Sequence, residues 1–480
     1  MTDGGDAAAA RRSRTWLTVG LISLITAVAF EGMAVPTAMP AMVGELGGLE
    51  LYGWSFSSFW LTNLIGISLA GMDADRRGPG RAIGIGVAFF TAGMLVSGLA
   101  GSMEVVIVGR AVQGFGAGAI GAIVYVVIAR GYPASEMPRM IAYLSSAWVV
   151  PGLVGPALAG LVADTLSWRW VFLGLVPPIA LIGIAVARHI AALGPSADAP
   201  TTERTELRQR VFDAVRLAVG SSALLFALTV GQPLVAVALL LVGGWLTLAA
   251  LRRLLPPGTL LARHGRPAVI AAMFLVSFAF FGTESFVPLA VTNVRGGTTT
   301  AGGLALTAAA VTWAAGSWLQ ARLAPTRSRR LIVGSGAACI AIGIGIVALI
   351  LLPAAPIWLA PLGWGVAGLG MGLANSTLAL LILETAAPGQ EGASSAALQQ
   401  MFTLGTALGA GIGGAMVAVA ETSNLALATG IGAADAAMVI AAVIAVLVAL
   451  RVPARPPGGR RTDVAQLSPE PVAHAGVHGG

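Results

Sequence analysis

Three charged side chains lie inside long apolar stretches of this sequence, and they are the first candidates for chemistry. Glu31, Arg110 and Glu284 each stand several residues from the end of an apolar run. Charges in such positions are costly, and by default they mark binding sites or proton pathways. A buried carboxylate binds and releases a proton as a neighbouring arginine leaves and returns. We therefore expect Glu31 to be the principal proton- or cation-binding carboxylate, close to Arg110, with Glu284 as its counterpart.

The depth of these charges agrees with that hypothesis. At a helical rise of about 1.5 Å per residue, all three lie roughly 9–12 Å from the outer ends of their runs. Gln113 follows Arg110 by one turn and shares its helix face, and Asp435 in the last run is a lesser candidate. The alternatives are an Arg110 that snorkels to the interface and a Glu284 that faces water at a helix end.

The composition shows what surrounds these charges. Of the 480 residues, 56% are apolar and only 10% are charged, and the mean hydropathy is +0.86. In soluble chains about a quarter of the residues are charged, so this chain has too few charges to form a water-exposed surface. A soluble enzyme, a disordered chain and a secreted disulfide module are excluded. The fold class is an all-α polytopic membrane protein.

The residue types that are missing exclude further chemistry. All 28 basic residues are arginine, so neither a P-loop ATPase nor a Schiff-base enzyme has its lysine. The four histidines lie in polar or terminal segments. An intramembrane hydrolase or acyltransferase, the alternative from a different class, therefore has no histidine in the spans. A passive channel would need repeated rings of charge, which the sequence lacks. We expect no enzyme activity, no cofactor, no metal and no nucleic-acid partner.

Fourteen apolar runs are long enough to cross a bilayer, which takes about 20 residues. They cover residues 16–38, 52–71, 81–101, 104–128, 139–163, 168–189, 211–231, 232–251, 267–290, 300–323, 330–352, 355–383, 394–420 and 425–450. The arginines cluster in alternate connections, and only Arg169 and Arg295 fall on the other side. This positive-inside pattern predicts cytoplasmic termini in an inner membrane. The tail after Arg451 is expected to be disordered.

The runs divide into two blocks of six around a two-helix insert. We predict a cytoplasmic tail (1–15), an N-terminal bundle (16–190), an insert with its linker (191–255), a C-terminal bundle (256–451) and a tail (452–480). Runs 1 and 9 each carry a glutamate shortly before a proline, runs 2 and 10 each lead into an arginine-rich turn, and the fifth helix of each block is rich in glycine. Paired six-helix halves are a transporter architecture. The insert is predicted to be peripheral.

Two further segments combine glycine with charge or proline. Between runs 2 and 3, an acid stands among flexible arginines that can pair with it in one conformation and release it in another; the segment contains Gly71, Asp75, Arg76, Gly78 and Arg81. A loop that only sets topology is the alternative. In run 5, glycines provide a smooth face for a neighbouring helix and prolines kink the rod; these residues are Pro151, Gly152, Gly155, Pro156 and Gly160.

These segments resemble the major facilitator superfamily. Gly71, Ala74, Asp75, Arg76 and Gly78 match its loop 2–3 motif, although Asp73 replaces a leucine and Pro79-Gly80 replaces an Arg-Lys pair. The Arg110-x-x-Gln113-Gly114 pattern is similar to the span 4 motif that is linked to proton coupling in drug:proton antiporters. Run 5 resembles the span 5 motif of proton-driven exporters, and Trp168-Arg169-Trp170-Val171-Phe172 resembles the start of span 6 in 14-span antiporters.

The resemblance implies a proton-driven antiporter. We expect a functional monomer that exports lipophilic, cationic compounds against proton entry by alternating access. An exporter of lipids or lipid conjugates on the same scaffold, and an inward proton:solute symporter, remain open as alternatives.

Overall fold

Helices form nearly all of the described chain, because apolar segments of this length satisfy their backbone hydrogen bonds internally. The computed structural model describes residues 3–133, 136–191, 204–386 and 391–454. The predicted tail from residue 455 onward and most of the predicted linker before the insert lie outside these ranges. Each of the fourteen predicted runs falls on helix. Ten helices of the described part are long and apolar enough to span a membrane, so the count of fourteen crossings stays a prediction.

The N-terminal half contains eight helical segments, because two of its six runs are interrupted. They are α1 (Asp3–Leu46), α2 (Tyr52–Arg77), α3 (Pro79–Gly98), α4 (Met103–Gly131), α5 (Met137–Ser146), α6 (Val149–Thr165), α7 (Arg169–Leu173) and α8 (Val176–Ile190). The break before α6 has a local cause. Pro151 has no N–H to donate to the carbonyl of Ala147, four residues earlier, so the helix loses a backbone hydrogen bond at that point.

The insert and the C-terminal half complete the chain. They contain α9 (Arg204–Ala227), α10 (Pro233–Leu254), α11 (Arg266–Glu284), α12 (Val287–Leu289), α13 (Thr299–Leu323), α14 (Arg329–Ala348), α15 (Leu359–Glu384), α16 (Glu391–Thr422) and α17 (Leu427–Ala449). A π-helical turn, Ala290–Val294, follows α12. The helix breaks at Glu284, shortly before Pro288, whereas α1 continues through both Pro36 and Pro40.

The two halves repeat the same packing. Helix α6 packs against α1 in its own half and α13 in the other, and α16 packs against α11 in its own half and α2 in the other. Two helix pairs therefore join the halves, α2–α16 and α6–α13, and we call each of these contacts a seam. The insert, predicted to be peripheral, packs on the bundle through α9, which contacts α2 and reaches α16, while α10 packs mainly on α9.

Both seams close toward the same end of the bundle. Tyr52 Oη donates to Ser285 O at 3.0 Å, and Ser57 Oγ donates to Ala407 O at 2.8 Å. Asp164, at the end of α6, accepts hydrogen bonds from the first residues of α13. We call the end where α1 passes to α2 the closed end. The opposite end, where α2 passes to α3, is the arginine-rich end.

The first helix continues further along the chain than its apolar run predicts. The proline-containing segment after residue 38 is helical and buried, so α1 extends to Leu46 and Glu31 lies fifteen residues from that terminus, about 22 Å. Arg110 lies only seven residues, about 10 Å, from the start of α4. The helix ends are therefore staggered rather than level.

Candidate functional site

The centre of the N-terminal half holds a buried ion pair. Arg110 Nη1 on α4 lies 2.5 Å from Glu31 Oε1 on α1. Glu31 is fully buried and Arg110 is 3% exposed. Because two charges in a low-dielectric interior are stable only when they are paired and hydrogen-bonded, neither side chain tolerates loss of the other without compensation.

Further partners hold the arginine in place. Nη1 also donates to Gln113 Oε1 at 2.9 Å, and Nε donates to the carbonyl of Ser55 at 3.3 Å. The guanidinium lies over the Phe59 ring, 4.2 Å from its centroid. Glycines allow this approach, since a Cβ on Gly114 would overlap the carbonyl of Phe59. The cluster therefore joins α1, α2 and α4. Phe56 and Phe59 are both buried.

One acceptor of the ion pair is unused. Glu31 Oε2 is buried without a hydrogen-bond partner among the described residues, and so is Gln113 Nε2. An unpartnered carboxylate oxygen in an apolar setting is where a proton is most readily accepted, because protonation removes the charge that burial penalises.

The other two acidic candidates lie in the C-terminal half, away from this pair. Glu284 ends α11 and is half-buried, and no hydrogen bond or ion pair to a described residue holds its carboxylate. Asp435 on α17 is 2% exposed, and its Oδ2 has no partner among the described residues. Asp435 is thus enclosed by protein, whereas Glu284 keeps part of its surface exposed. Among the described residues, no group of three or more His, Cys, Asp or Glu side chains is arranged to hold a metal ion.

The segment predicted to be a loop between runs 2 and 3 is mostly helical. Helix α2 continues through Arg77, and Gly78 alone connects it to α3. Gly78 has φ 91°, which favours glycine. Asp75 pairs with Arg130 of α4 at 2.6 Å, while Arg76 is exposed and takes no part in the pair. In this conformation Asp75 therefore pairs with a distant helix and not with the arginines of its own segment.

A neighbouring acid, Asp73, pairs with the arginines of the same segment. Asp73 lies 3.6 Å from both Arg77 and Arg81. Asp73, which replaces the leucine of the family's loop 2–3 motif, thus links α2 to α3. Gly71 has open space around it and makes no close helix contact.

The proline- and glycine-rich face of α6 lies between two helices. A Cβ on Gly155 would contact the Phe30 ring of α1 at 3.6 Å, and one on Gly160 would lie 2.6 Å from Thr300 Cα of α13. Pro151, Gly152 and Pro156 are buried on the same helix. This small-residue face is where the two halves approach each other most closely on the α6–α13 seam.

Arg169 and Arg295, the two exceptions to the positive-inside pattern, bind backbone carbonyls at helix ends. Arg169 pairs with Glu45 at 2.5 Å, donates to Ala100 O at 3.1 Å and lies over the Trp168 ring. Arg295 donates to the carbonyls of Ile350 and Leu352. Both therefore fasten connections at the closed end, which is a local reason for their position.

A paired-half fold with a charge cluster at its centre agrees with one family. The sequence model described as Major Facilitator Superfamily matches residues 20–410. The chain belongs to the major facilitator superfamily. It is therefore a multi-pass membrane protein and a transporter.

Relatives and solved structures agree with this membership. A probable multidrug-efflux transporter of Mycobacterium tuberculosis is 28% identical over 85% of this chain and 88% of that protein. Multidrug resistance protein 3 of Bacillus subtilis is 29% identical over 46% of this chain and 42% of that protein. The inward-facing bacterial homologue of the human lysosomal transporter Spinster has a TM-score of 0.65 at 16% identity, covering 92% of this chain and 97% of that one. The partially occluded, inward-open xylose transporter XylE of E. coli has a TM-score of 0.58 at 15% identity, covering 93% of this chain and 99% of that one. At these identities the solved structures show the fold alone.

Two residues of this transporter form contacts between distant helices that the sequence does not predict. Arg130 is one of the arginines in the alternate connections, and its partner Asp75 is 55 residues away. Asp164 directly follows run 5, and its partners on α13 are 135 and 136 residues away. No local pattern signals either contact, since both depend on how distant helices pack.

Proposed function

We propose that this transporter exports lipophilic, cationic compounds from the cytoplasm in exchange for protons, by alternating access. The arginine-rich end is the cytoplasmic end in this proposal, both termini are cytoplasmic, and the working unit is a monomer in the cytoplasmic membrane. The relatives named as multidrug-efflux transporters support the substrate class. With the closed end facing outward, the conformation described above is inward-facing.

The observation that carries the proposal is the sealed Glu31–Arg110 pair with its free carboxylate oxygen. Glu31 is the proton-binding residue. When Glu31 takes a proton, Arg110 keeps its charge and remains held by Ser55 O, Gln113 Oε1 and the Phe59 ring. The positive charge is thus retained at the centre while the attraction to α1 is lost.

A structural path leads from this proton site to the seam between the halves. Arg110 holds the carbonyl of Ser55, and Ser55 lies between Gly53 and Ser57, the residues of α2 that contact α16. A change of charge at Glu31 therefore acts on the segment of α2 that closes the bundle. This is a bistable contact that proton binding can bias.

Transport by purified protein in liposomes under an imposed pH gradient tests the proposal. We expect uptake of a lipophilic cation into vesicles with an acidic interior, in protein oriented with its arginine-rich end outside. Dependence on the opposite gradient would indicate a symporter and overturn the proposed direction. Movement of lipids without movement of cationic or neutral drugs would overturn the substrate class.

The Asp164 contact predicts a measurable change in conformation. Its carboxylate accepts from the amides of Thr299 at 3.1 Å and Thr300 at 2.8 Å, and from Thr300 Oγ1 at 2.7 Å, so it caps α13 from the other half. Losing such a cap costs about 1 kcal/mol, and opening the closed end breaks it. Asp164→Ala is therefore expected to shift the population toward the outward-open state about fivefold.

Spin-label distances across the closed end measure this shift. Cysteines at exposed Leu99 and Leu425, in a Cys339→Ala background, report on opposite halves. Asp164→Asn keeps an acceptor oxygen and should retain most of the closed population. Identical distance distributions in the wild-type protein and Asp164→Ala would contradict a latch role.

A further inference from the structure

A cavity lies at the side of the bundle, between the insert and the C-terminal half. Its volume is about 530 Å³, which is within the range of sites that hold small molecules. Its wall is formed by α10, the turn Thr259–Leu261 that follows α10, and the helices α11, α16 and α17. Among the described residues, none from the N-terminal half lines this cavity. It is therefore separate from the space between the two halves.

The wall of this side cavity is apolar and opens toward lipid. Leu251 of α10, Phe274 of α11 and Leu404 of α16 line it. Ile444 and Leu447 of α17 belong to the same wall, yet they are 42% and 58% exposed. Because α10 packs mainly on α9, a gap remains between α10 and α17 on the outer surface of the bundle. An apolar space of this kind offers water few hydrogen-bond partners and suits an acyl chain.

Three arginines surround one end of the side cavity. Arg451 lines it, and its Nη1 donates to the carbonyl of Leu261 at 3.1 Å. Arg252 lies in the last turn of α10, and Arg263 directly follows Ala262, which lines the cavity. All three arginines are exposed, and none forms an ion pair with a described residue. This end of the cavity therefore carries positive charge that no described acid neutralises.

The arginines and the apolar wall lie at the levels of a lipid headgroup and its chain. The arginines are at the arginine-rich end, where α10 and α17 end and α11 begins. Along α11 the wall runs from Ala271 to Leu275, five to nine residues beyond Arg266, the first residue of the helix, or about 8–14 Å. Basic pockets between membrane-spanning helices bind the headgroups of anionic lipids.

From this arrangement we infer that the side cavity binds one anionic phospholipid. Its phosphate lies on Arg252, Arg263 and Arg451, and the first part of one acyl chain lies between α10 and α17. The tail of the chain itself does not fit the charge, since residues 455–480 contain three arginines against one aspartate and one glutamate. The lipid holds the insert against the C-terminal half, where direct helix contacts are few. It is not a transported substrate, so its binding is independent of the proposed function.

Native mass spectrometry of the purified full chain counts bound lipids and tests the headgroup site. With phosphatidylglycerol, we expect one molecule to stay bound after the others are lost. Phosphatidylethanolamine with the same acyl chains should bind about tenfold more weakly, since its headgroup has no net charge. The double variant Arg252→Gln/Arg263→Gln should lose about thirtyfold in affinity for phosphatidylglycerol, because each substitution removes one attraction to the phosphate. Arg188→Gln is the matched control, since Arg188 is an exposed arginine in the last turn of α8, and its affinity should equal that of the wild-type protein.

Filling the side cavity tests the position of the acyl chain. Ala271→Phe adds a ring to the wall from α11 and is expected to weaken phosphatidylglycerol binding about tenfold, because the ring takes the space of the chain. Ala238→Phe adds the same bulk on the exposed face of α10 and should bind the lipid normally.

Four results would contradict the lipid site. Equal affinity for the two lipids, or wild-type affinity in the double arginine variant, would overturn the headgroup contacts. Wild-type affinity in Ala271→Phe would overturn the position of the chain. Displacement of phosphatidylglycerol by an equal concentration of glycerol 3-phosphate would show that the site binds a free phosphate rather than a lipid.

Discussion

Glu31→Gln is expected to abolish proton-driven export while the bundle stays folded. Glutamine keeps the volume of glutamate and offers an acceptor to Arg110 Nη1, but it cannot exchange a proton. Leaving a buried charge without any partner would cost about 3–5 kcal/mol. Here the guanidinium keeps Ser55 O, Gln113 Oε1 and the Phe59 ring, so most of that cost is avoided.

The measurement is substrate-driven proton movement in proteoliposomes, followed with a pH-sensitive dye. We expect no proton movement in Glu31→Gln, while exchange of labelled for unlabelled substrate, which needs no proton, continues. Glu45→Gln is a matched control on the same helix. Glu45 also pairs with an arginine at 2.5 Å, but it is half-exposed at the closed end, so coupling should persist there. Proton movement at the wild-type level in Glu31→Gln would sink the assignment.

Gly53→Ala is expected to abolish transport by preventing closure of the α2–α16 seam. A Cβ at Gly53 would lie 2.5 Å from Gly414 Cα and 2.8 Å from Ala410 O. Both are backbone atoms, so no side-chain rotation relieves the overlap and the helices must separate. The closed end described here cannot then form, and the protein cannot complete a cycle that requires it.

The expected result is a lengthened distance between labels at Leu99 and Leu425, together with loss of transport. Gly160→Ala should act in the same way on the other seam, since its Cβ would lie 2.6 Å from Thr300 Cα. Gly32→Ala on α1 is the control, because no atom lies within 4 Å of its added Cβ; alanine favours helix there and transport should remain normal. Wild-type transport by Gly53→Ala would show that this close approach is dispensable.

The main elements of this fold follow from the sequence because they depend on local properties. Run length and hydropathy determine where helices lie, as in the separation of α9 from α10 around Gly231-Gln232-Pro233, and the paired halves follow from repeated patterns. The membership of the major facilitator superfamily follows from short motifs such as Asp75-Arg76 and Arg110-x-x-Gln113. The local effect of proline was less predictable. Pro36 and Pro40 lie inside an unbroken α1, since tertiary packing holds that segment helical, whereas Pro151 and Pro288 lie next to breaks.

By itself, then, the sequence determined that this protein is a helical membrane transporter of two halves, and which few charges its interior contains. It did so because burying a charge in an apolar run is costly wherever the run packs. Only the tertiary structure decided the partners. It brought Glu31 to Arg110, paired Asp75 with Arg130 instead of its neighbours, and set Asp164 on the first turn of α13. Those contacts depend on which helix faces meet and at what level, and that is set by packing between segments tens to hundreds of residues apart.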